Sequence, residues 1–260
     1  MAAATAVEPC NVLITGAWNP VRPQSPAALA QRRDRLRSSI AWYADLKASR
    51  RVVLADATLT DGDRAELGAE FPQLELPVLR TAPHGEWTGP SYLEALLYRA
   101  VAEAGVVRCD GERWIKATGG YRITNADAIL AVARNANAAG IGFVHQHPLR
   151  PYARWVMSAF YLLDGRLLDA LLRFAAGRAE RARREPLEGL VRDFFVAQGR
   201  RRIRSPYPRI DAYYSTSGLR SDSPRLLLHT LSWRALSRLG LYAWCVPSAG
   251  AAAAQRAAAS

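Results

Sequence analysis

A lysine, two glycines, a tyrosine and an arginine follow one another at the end of an apolar run, in the stretch WIKATGGYR at residues 114–122. Gly119 and Gly120 let the chain turn sharply and let a ligand come close to the backbone. Lys116 is flanked by apolar residues, and a buried lysine needs an anionic partner because an unpaired buried charge is costly. A protein carboxylate and a ligand diphosphate would both serve, and the residues alone leave these alternatives open.

Polar residues also follow two earlier apolar runs. The run NVLITG contains Thr15 and leads to Asn19 and Arg22, and the run RVVLADA contains Asp56. Open α/β sheets bind ligands beyond the carboxyl ends of their strands, so these side chains are predicted to bind a substrate. A nicotinamide-binding motif is disfavoured, because no second glycine follows VLITGA to let the backbone approach a pyrophosphate.

Carboxylates near these runs are candidates for a metal site and for a general base. Asp56 and the pair Asp61 and Asp63 could hold a divalent cation through oxygen ligands, although an Asp-Gly-Asp cluster is typical of a solvated turn. No clear metal site is therefore predicted, and Mn²⁺ or Mg²⁺ is left open as a cofactor. Glu94 begins a predicted helix, where the helix dipole favours a carboxylate, and it is either a structural charge or a general base.

Alternating apolar runs and amphipathic segments place these residues in an α/β fold. Strands are predicted at residues 11–16, 51–57, 113–118 and 142–146, and helices at 27–47, 63–70, 91–104 and 126–139. After residue 150 the pattern changes: residues 152–198 are predicted to be mainly helical, and residues 224–245 to form an apolar helix. The predicted fold class is a Rossmann-like mixed sheet flanked by helices, with a mainly helical C-terminal part.

The composition indicates a globular protein with anionic partners. Its formal net charge of +12 favours nucleotides, nucleic acid or an acidic membrane surface. The three cysteines are widely spaced and form no CxxC pair, which fits a reducing cytoplasm better than a disulfide framework or a zinc knuckle. The N-terminus has no secretion-signal pattern, and no apolar stretch reaches the roughly 18 residues of a spanning helix. A cytoplasmic location is predicted.

The motif around the glycines resembles one in bacterial glycosyltransferase-like proteins from surface-polysaccharide and capsule gene clusters. Members look like compact GT-A enzymes and carry Lys-x-Thr-Gly-Arg-Tyr, then a hydrophobic residue and an asparagine; here the stretch is KATGGYRITN, ending at Asn125. The resemblance covers roughly residues 11–218. It includes RVVLADAT, GPSYLEALL with Glu94, PLEGLVRDF with Glu188, and YYSTSG.

The resemblance implies a GT-A-like enzyme that moves a sugar from a nucleotide sugar to a cell-surface glycan or a lipid-linked acceptor. If the enzyme inverts the anomeric configuration, Glu94 or Glu188 would deprotonate the acceptor hydroxyl; the sequence leaves inversion or retention open. The bend and its flanks would bind the donor diphosphate through Lys116, Thr118, Gly119, Gly120, Tyr121, Arg122 and Asn125. The ends of the first two strands would contact the donor through Thr15, Asn19, Arg22 and Asp56.

The chain departs from the family pattern in two features. The family arginine before the tyrosine is Gly120 here, so Arg122 or Lys116 must take over any grip on phosphate. The Asp-x-Asp metal motif is also missing, and TGGY stands in its place. Lysine and arginine, rather than Mn²⁺, would then neutralise the leaving diphosphate.

The change of pattern near residue 150 and the low-complexity C-terminus predict a division of the chain, to which the resemblance assigns roles. Residues 1–150 would form the nucleotide-sugar-binding core, residues 151–246 a helical part on the acceptor or membrane side, and residues 247–260 a disordered tail. The apolar helix with its arginines would either lie peripherally on the inner membrane or pack on the core.

A basic protein that binds nucleic acid or another polyanion without catalysis is the alternative function. It is favoured by the arginine-rich runs at 178–184 and 200–204, the second of which lies close to tyrosines. Such runs are usually solvated faces, and no recognised nucleic-acid-binding module is present in the sequence. Nucleic acid is therefore not expected as a partner of the enzyme.

Overall fold

The structure is a computed structural model that describes residues 9–20, 24–81, 89–108, 112–124, 140–145 and 155–197, together with short strands at 210–211, 213–214 and 219–220. The strands are β1 (Cys10–Thr15), β2 (Ser49–Ala55), β3 (Leu74–Glu75), β4 (Arg113–Thr118), β5 (Arg122–Ile123), β6 (Gly140–His145), β7 (Trp155–Asp164), β8 (Ile210–Asp211), β9 (Tyr213–Tyr214) and β10 (Leu219–Arg220). The helices are α1 (Pro26–Ala44), α2 (Asp61–Glu70), α3 (Pro90–Glu103), α4 (Gly165–Ala176) and α5 (Leu187–Ala197), with a 3-10 turn at Arg181–Arg183.

The central sheet has six strands in the order β3-β2-β1-β4-β7-β6. Strand β1 pairs in parallel with β2 and β4, and β2 pairs in parallel with β3. Strand β7 runs antiparallel to both of its neighbours, β4 and β6. The chain thus moves outward from β1 to β3 and then returns to the other side of β1 at β4. Such a reversal leaves a crevice at the carboxyl ends of the two strands that flank it, which here are β1 and β4.

Helices cover both faces of the sheet. Val12 and Ile115 belong to a buried cluster shared with α1 and α2, and Leu13 belongs to a second cluster shared with α3, α4 and α5. Strands that are covered on both faces are apolar along most of their length. Lys116 is in register with Leu13 and Tyr161, so its side chain enters the second cluster. A cation is therefore placed in an apolar layer of the core.

Capping residues set where the helices begin. Oγ of Ser25 accepts a hydrogen bond from the backbone nitrogen of Ala28 at 3.2 Å, and Pro26 lies in the first turn of α1. Helix α2 begins with a capping box, in which the side chains of Thr60 and Asp63 each accept a bond from the other residue's backbone N–H. Asp63 is thus held in a helix start.

The predicted fold class, a mixed α/β sheet flanked by helices, is confirmed by the strand order. The prediction that residues 152–198 are mainly helical is wrong at Trp155–Asp164, which forms β7. Residues 160–163 point alternately into the two buried clusters. Because both faces of β7 are apolar, its sequence lacks the polar alternation of a half-exposed strand and resembles a buried helix. The sheet therefore continues past residue 150, where the predicted core ends.

Within the same segment, Gly165–Ala176 and Leu187–Ala197 are helical, as predicted. The predicted helices at 126–139 and 224–245 and the predicted tail at 247–260 lie outside the described residues. Within the part of the chain that the structure describes, no helix has the length and apolar content needed to cross a membrane.

Candidate functional site

The carboxyl ends of β1, β2 and β4 lie side by side at one edge of the sheet. Thr15, the last residue of β1, is in register with Ala55 at the end of β2 and with Thr118 at the end of β4. Two groups of polar residues occupy this edge, and we name each after its carboxylate. The Glu94 cluster comprises Glu94, Thr15, Tyr98, Lys116 and Thr118, and the Asp56 cluster comprises Asp56, Trp18, Asn19, Thr58 and Asp63.

The bend after β4 packs directly against the end of β1. The backbone N–H of Gly119 donates to the carbonyl oxygen of Thr15 at 2.6 Å. A Cβ atom on Gly119 would lie 2.7 Å from Leu36 Cδ1, and Gly120 has a φ of +86°, which is strained for any residue with a side chain. The fold itself therefore requires both predicted glycines. At the position of the family arginine, the backbone of this chain favours glycine.

Lys116 is completely buried and is paired with a protein carboxylate. Its Nζ atom lies 2.7 Å from Glu94 Oε1 and 3.0 Å from Thr118 Oγ1, and its side chain is 0% exposed. The ring centroids of Tyr98 and Tyr161 each lie 5.5 Å from the ammonium, within the range of cation–π contacts. Of the two partners that the sequence leaves open, the structure contains the carboxylate. A ligand could not touch this ammonium without a rearrangement, so the predicted contact between Lys116 and a diphosphate has no support in this arrangement.

Glu94 is held through one of its two carboxylate oxygens. Oε1 accepts hydrogen bonds from Lys116 Nζ, from the Tyr98 hydroxyl at 3.1 Å and, more weakly, from the Thr15 hydroxyl at 3.4 Å. No described residue donates to Oε2, which keeps exposed surface, and 19% of the side chain is exposed. The carboxylate is thus fixed on its inner side and open on its outer side.

Glu188, the second predicted base, lies in the first turn of α5. Its charge affects the pKa of the same tyrosines as the charge of Glu94. Burial is the main cause that raises the pKa of Tyr98 and of Tyr161, and the charges of Glu94 and Glu188 raise both further. The same causes raise the pKa of Tyr121. These hydroxyls therefore stay protonated at neutral pH. The hydroxyl of Tyr161 is buried and has no hydrogen-bond partner in the described part of the chain.

The Asp56 carboxylate is closed by bonds to the protein. Asp56 is 0% exposed. One oxygen accepts from the backbone N–H of Trp18, and the other accepts from the backbone N–H and the hydroxyl of Thr58 at 2.7 and 2.6 Å. Burial raises the pKa of Asp56, against the opposing effect of these hydrogen bonds. Asp56 therefore joins the loops after β1 and β2, and its predicted contact with a substrate stays a prediction.

Asn19 and Asp63 complete the closed cluster. The Asn19 side-chain nitrogen donates to Asp63 Oδ2 at 2.8 Å, and its oxygen accepts from Arg33. The indole N–H of Trp18 donates to Asp63 Oδ1 at 2.9 Å. Burial alone would raise the pKa of Asp63, but hydrogen bonds from Thr60, Asn19 and Trp18 lower it to about 2. Asn19, which is predicted to bind substrate, is thus bonded on both ends of its amide within the protein.

The residues after the bend are tied to α1. The backbone oxygen of Tyr121 accepts from Ser39 Oγ and from the Tyr43 hydroxyl, both at 3.2 Å. Arg122 donates from Nη1 to Ser38 Oγ at 3.1 Å. The predicted roles of Tyr121 and Arg122 in diphosphate binding stay predictions. Two further predicted site residues lie outside the described part of the chain: Arg22 and Asn125.

Arg32 is a cation at this edge that sequence reasoning missed. Its Nε atom donates to the carbonyl oxygen of Ala17 at 2.7 Å, which anchors the guanidinium at the loop after β1. Burial lowers the pKa of Arg32, while its interactions with Asp56 and Tyr121 raise it, so the group lies near the ends of both β2 and β4. Its Nη atoms keep exposed surface and bond to none of the described residues. No spacing in the sequence singles Arg32 out among the arginines of α1.

Two tyrosines of this site were also missed. Tyr98 stands four residues after Glu94 on α3, and side chains at that spacing share a helix face. The spacing could therefore have found Tyr98. Tyr161 reaches Lys116 from β7, which the sequence does not predict, so no signal was available for it.

The carboxylates considered for a divalent cation have other contacts. Asp56 and Asp63 accept hydrogen bonds from the loop after β1, and Asp61 is exposed and pairs with Arg64 at 3.6 Å. Among the residues that the structure describes, no group of three or more histidine, cysteine, aspartate or glutamate side chains could hold a metal ion.

Two arginines of the first arginine-rich run, Arg181 and Arg183, pair with nearby acids. Arg181 pairs with Glu185 and lies 3.1 Å from Asp193, and Arg183 lies 2.8 Å from Glu180. These ion pairs fit a solvated face better than a surface that holds a polyanion. The second run, residues 200–204, is outside the described residues.

No family model and no curated protein matches the sequence. Among solved structures, the chain is similar to a 4-diphosphocytidyl-2C-methyl-D-erythritol synthase from Anaerococcus prevotii, at 8% identity and a TM-score of 0.46, over 87% of this chain and 96% of that one. It is also similar to a CMP:2-keto-3-deoxy-manno-octonic acid synthetase complexed with CTP, at 10% identity and a TM-score of 0.44, over 73% and 86% of the two chains. A cytidylyltransferase from Leptospira borgpetersenii gives 13% identity and a TM-score of 0.39, over 68% and 72%. Likeness this distant carries no argument about function, and the fold class rests on the strand order.

Proposed function

We propose that the chain is an enzyme that takes a sugar from a nucleotide sugar and transfers it to a hydroxyl of a cell-surface glycan or a lipid-linked acceptor. The observation that carries this proposal is the Glu94 carboxylate, fixed through Oε1 and open at Oε2, beside the reversal between β1 and β4. A general base must lie within hydrogen-bond reach of the hydroxyl that it deprotonates, and α/β sheets bind ligands at such an edge. The resemblance of KATGGYRITN to surface-polysaccharide glycosyltransferases supports the same class.

In the proposed reaction, Oε2 of Glu94 accepts the proton of the acceptor hydroxyl. The acceptor oxygen forms a bond to the anomeric carbon of the sugar. The bond between that carbon and the diphosphate oxygen breaks, and the nucleoside diphosphate leaves with the electron pair. Attack from the face opposite the diphosphate inverts the anomeric configuration. Glu188, whose charge acts on the same tyrosines, is the alternative base.

A binding panel tests the donor class. Nucleotide sugars, nucleoside diphosphates and nucleoside triphosphates are added separately to the full chain, and the melting temperature is measured. We expect stabilisation by one nucleoside diphosphate and by its nucleotide sugars, because a ligand that binds only the folded state raises the free energy of unfolding. A shift confined to triphosphates would contradict sugar transfer. Salt-dependent binding to DNA without any nucleotide shift would favour the polyanion-binding alternative.

A double variant separates the chemical role of Glu94 from its structural role. Glu94→Gln alone leaves Lys116 buried without a carboxylate, and breaking a buried pair costs about 3–5 kcal/mol. Adding Lys116→Met removes that charge, so the double variant should recover most of the lost stability. It should still bind the nucleoside diphosphate but transfer sugar about 10²–10⁴-fold more slowly. Wild-type transfer by the folded double variant would exclude Glu94 as the base.

A further inference from the structure

We infer that Arg32 is the cation that receives the diphosphate of the donor. The inference rests on the proposed function, in which a nucleoside diphosphate is the leaving group. Its basis is the position of Arg32, whose guanidinium is anchored at the loop after β1 while its Nη atoms stay open.

A leaving diphosphate needs positive charge at the place where its negative charge develops. The lysine that the sequence offers for this task is 0% exposed and bonded to Glu94. Arg33 also has partners, because it donates to Asn19 and lies 3.8 Å from Asp63. Arg32 differs from both in having its outer nitrogens unbonded to any described residue.

The geometry of the guanidinium suits a phosphate. Nε is occupied by the carbonyl oxygen of Ala17, which fixes the plane of the group. The two Nη atoms form a planar fork, and such a fork binds two oxygens of a phosphate at once. The group lies near Asp56 and Tyr121, at the ends of β2 and β4. Ala17 lies two residues after the end of β1, so the anchored guanidinium lies beside the end of that strand, where a diphosphate in the crevice is expected.

The partial burial of Arg32 strengthens the inference. Burial disfavours a charged group unless a partner compensates for the lost water. Asp56 is the acidic neighbour, but its oxygens accept hydrogen bonds from Trp18 and Thr58 and none from Arg32. An anionic ligand on the Nη atoms would supply the missing compensation.

Calorimetric titration of the full chain with nucleoside diphosphates and with inorganic pyrophosphate tests the inference. Arg32→Gln should weaken the affinity for the nucleoside diphosphate found in the binding panel by about 10-fold to 100-fold, the usual range for losing hydrogen bonds to a charged group. Arg32→Lys keeps the charge but not the fork, so an intermediate loss is expected. Arg50→Gln is the control, because Arg50 carries the same charge, pairs with Glu112 and lies at the start of β2, the end of the strand opposite the site. Its affinity should equal that of the wild type.

Each outcome decides the assignment. A wild-type dissociation constant in Arg32→Gln overturns it and leaves the proposed transfer reaction standing. An equal loss in Arg32→Gln and Arg50→Gln would also overturn it, because net charge alone would then explain the effect. If no nucleoside diphosphate binds the wild type, the transfer proposal fails, and inorganic pyrophosphate then tests Arg32 alone. Pyrophosphate binding that Arg32→Gln abolishes supports the anion site, and absence of pyrophosphate binding to the wild type overturns it.

Discussion

The Glu94 cluster and the Asp56 cluster lie next to each other at one edge of the sheet, yet their carboxylates are bonded differently. Each carboxylate accepts three hydrogen bonds. On Asp56 the bonds fall on both oxygens, and the residue is 0% exposed. On Glu94 they all fall on Oε1, and the side chain is 19% exposed. The same number of bonds thus closes one carboxylate and leaves one oxygen of the other open.

The distribution of hydrogen bonds therefore separates a structural carboxylate from a candidate base. An ionised carboxylate has about four positions at which it can accept a hydrogen bond, shared between its two oxygens. When donors occupy both oxygens and water is excluded, the group serves to join segments of the chain. When donors occupy only one oxygen, they fix the group while the other oxygen remains able to accept a proton.

Loss of the Asp56 carboxylate should give a large stability change that no second side-chain substitution can relieve. Asp56→Ala leaves the N–H of Trp18 and the N–H and hydroxyl of Thr58 without their acceptor. Each buried donor without a partner costs about 1–3 kcal/mol, and relaxation will recover part of that. We expect the free energy of unfolding in urea to fall by about 3 kcal/mol.

Unlike the instability of Glu94→Gln, the instability of Asp56→Ala should not be relieved by a second substitution. Two of the donors to Asp56 are backbone groups, so no second side-chain substitution can remove them. The instability of Glu94→Gln, by comparison, should be relieved by Lys116→Met. If Asp56→Ala unfolds at the wild-type urea concentration, Asp56 does not join the two loops, and the distinction between the clusters fails.

The sequence predicts the fold well where a short apolar strand is followed by an amphipathic helix, because the spacing of apolar residues then changes from one element to the next. Strand β4 has the predicted bounds, and α1 and α3 begin within one residue of their predicted starts. Strand β7 is missed because it is covered on both faces, so its run of apolar residues carries no period of two. Local sequence cannot show that a strand lies between two layers, since that depends on which segments pack against it.

The sequence predicts a site at the ends of the strands, and the structure brings two of its predicted residues, Glu94 and Lys116, into contact there. Their pairing is not readable from sequence, because Glu94 comes from α3 and Lys116 from β4. The open side of Arg32 is likewise invisible, because several arginines share α1 and only the tertiary structure shows which have carboxylate partners.

The bend after β4 packs against Thr15 at the end of β1, and Gly119→Ala should disturb that contact. The added Cβ would lie 2.7 Å from Leu36 Cδ1 and 3.2 Å from the carbonyl oxygen of Thr15. Overpacking of a well-packed core costs about 1–3 kcal/mol, so we expect the free energy of unfolding to fall by about 2 kcal/mol. Gly68→Ala is the control, because Gly68 lies in α2 with no atom within 4 Å of the added Cβ. That change should stabilise the protein by about 0.5–1 kcal/mol. A loss in both variants would show that the effect is not specific to the bend.

The smallest expected effect concerns the tyrosine that holds Glu94. Tyr98→Phe removes the hydroxyl 3.1 Å from Oε1 and changes no charge. The carboxylate of Glu94 is then held by fewer hydrogen bonds and can shift. A small misplacement of a catalytic group slows a reaction sharply. We expect kcat for sugar transfer to fall about tenfold, while the KM for the donor and the free energy of unfolding change little. Steady-state kinetics and urea unfolding measure the two effects separately.

Tyr92→Phe is the matched control for this prediction. Tyr92 lies on the same helix, is also buried, and its hydroxyl donates to Glu180 at a similar distance of 3.2 Å and accepts from Arg183 at 2.9 Å. Both variants remove one hydroxyl that donates to a glutamate, and Tyr92→Phe also removes the acceptor of Arg183, so Tyr92→Phe should lose at least as much stability as Tyr98→Phe, on the order of 1 kcal/mol. Only Tyr98→Phe should lower kcat, because only that hydroxyl fixes the open carboxylate. Equal values of kcat in the two variants would mean that Glu94 does not need to be held, and the difference between the clusters would then have no bearing on catalysis.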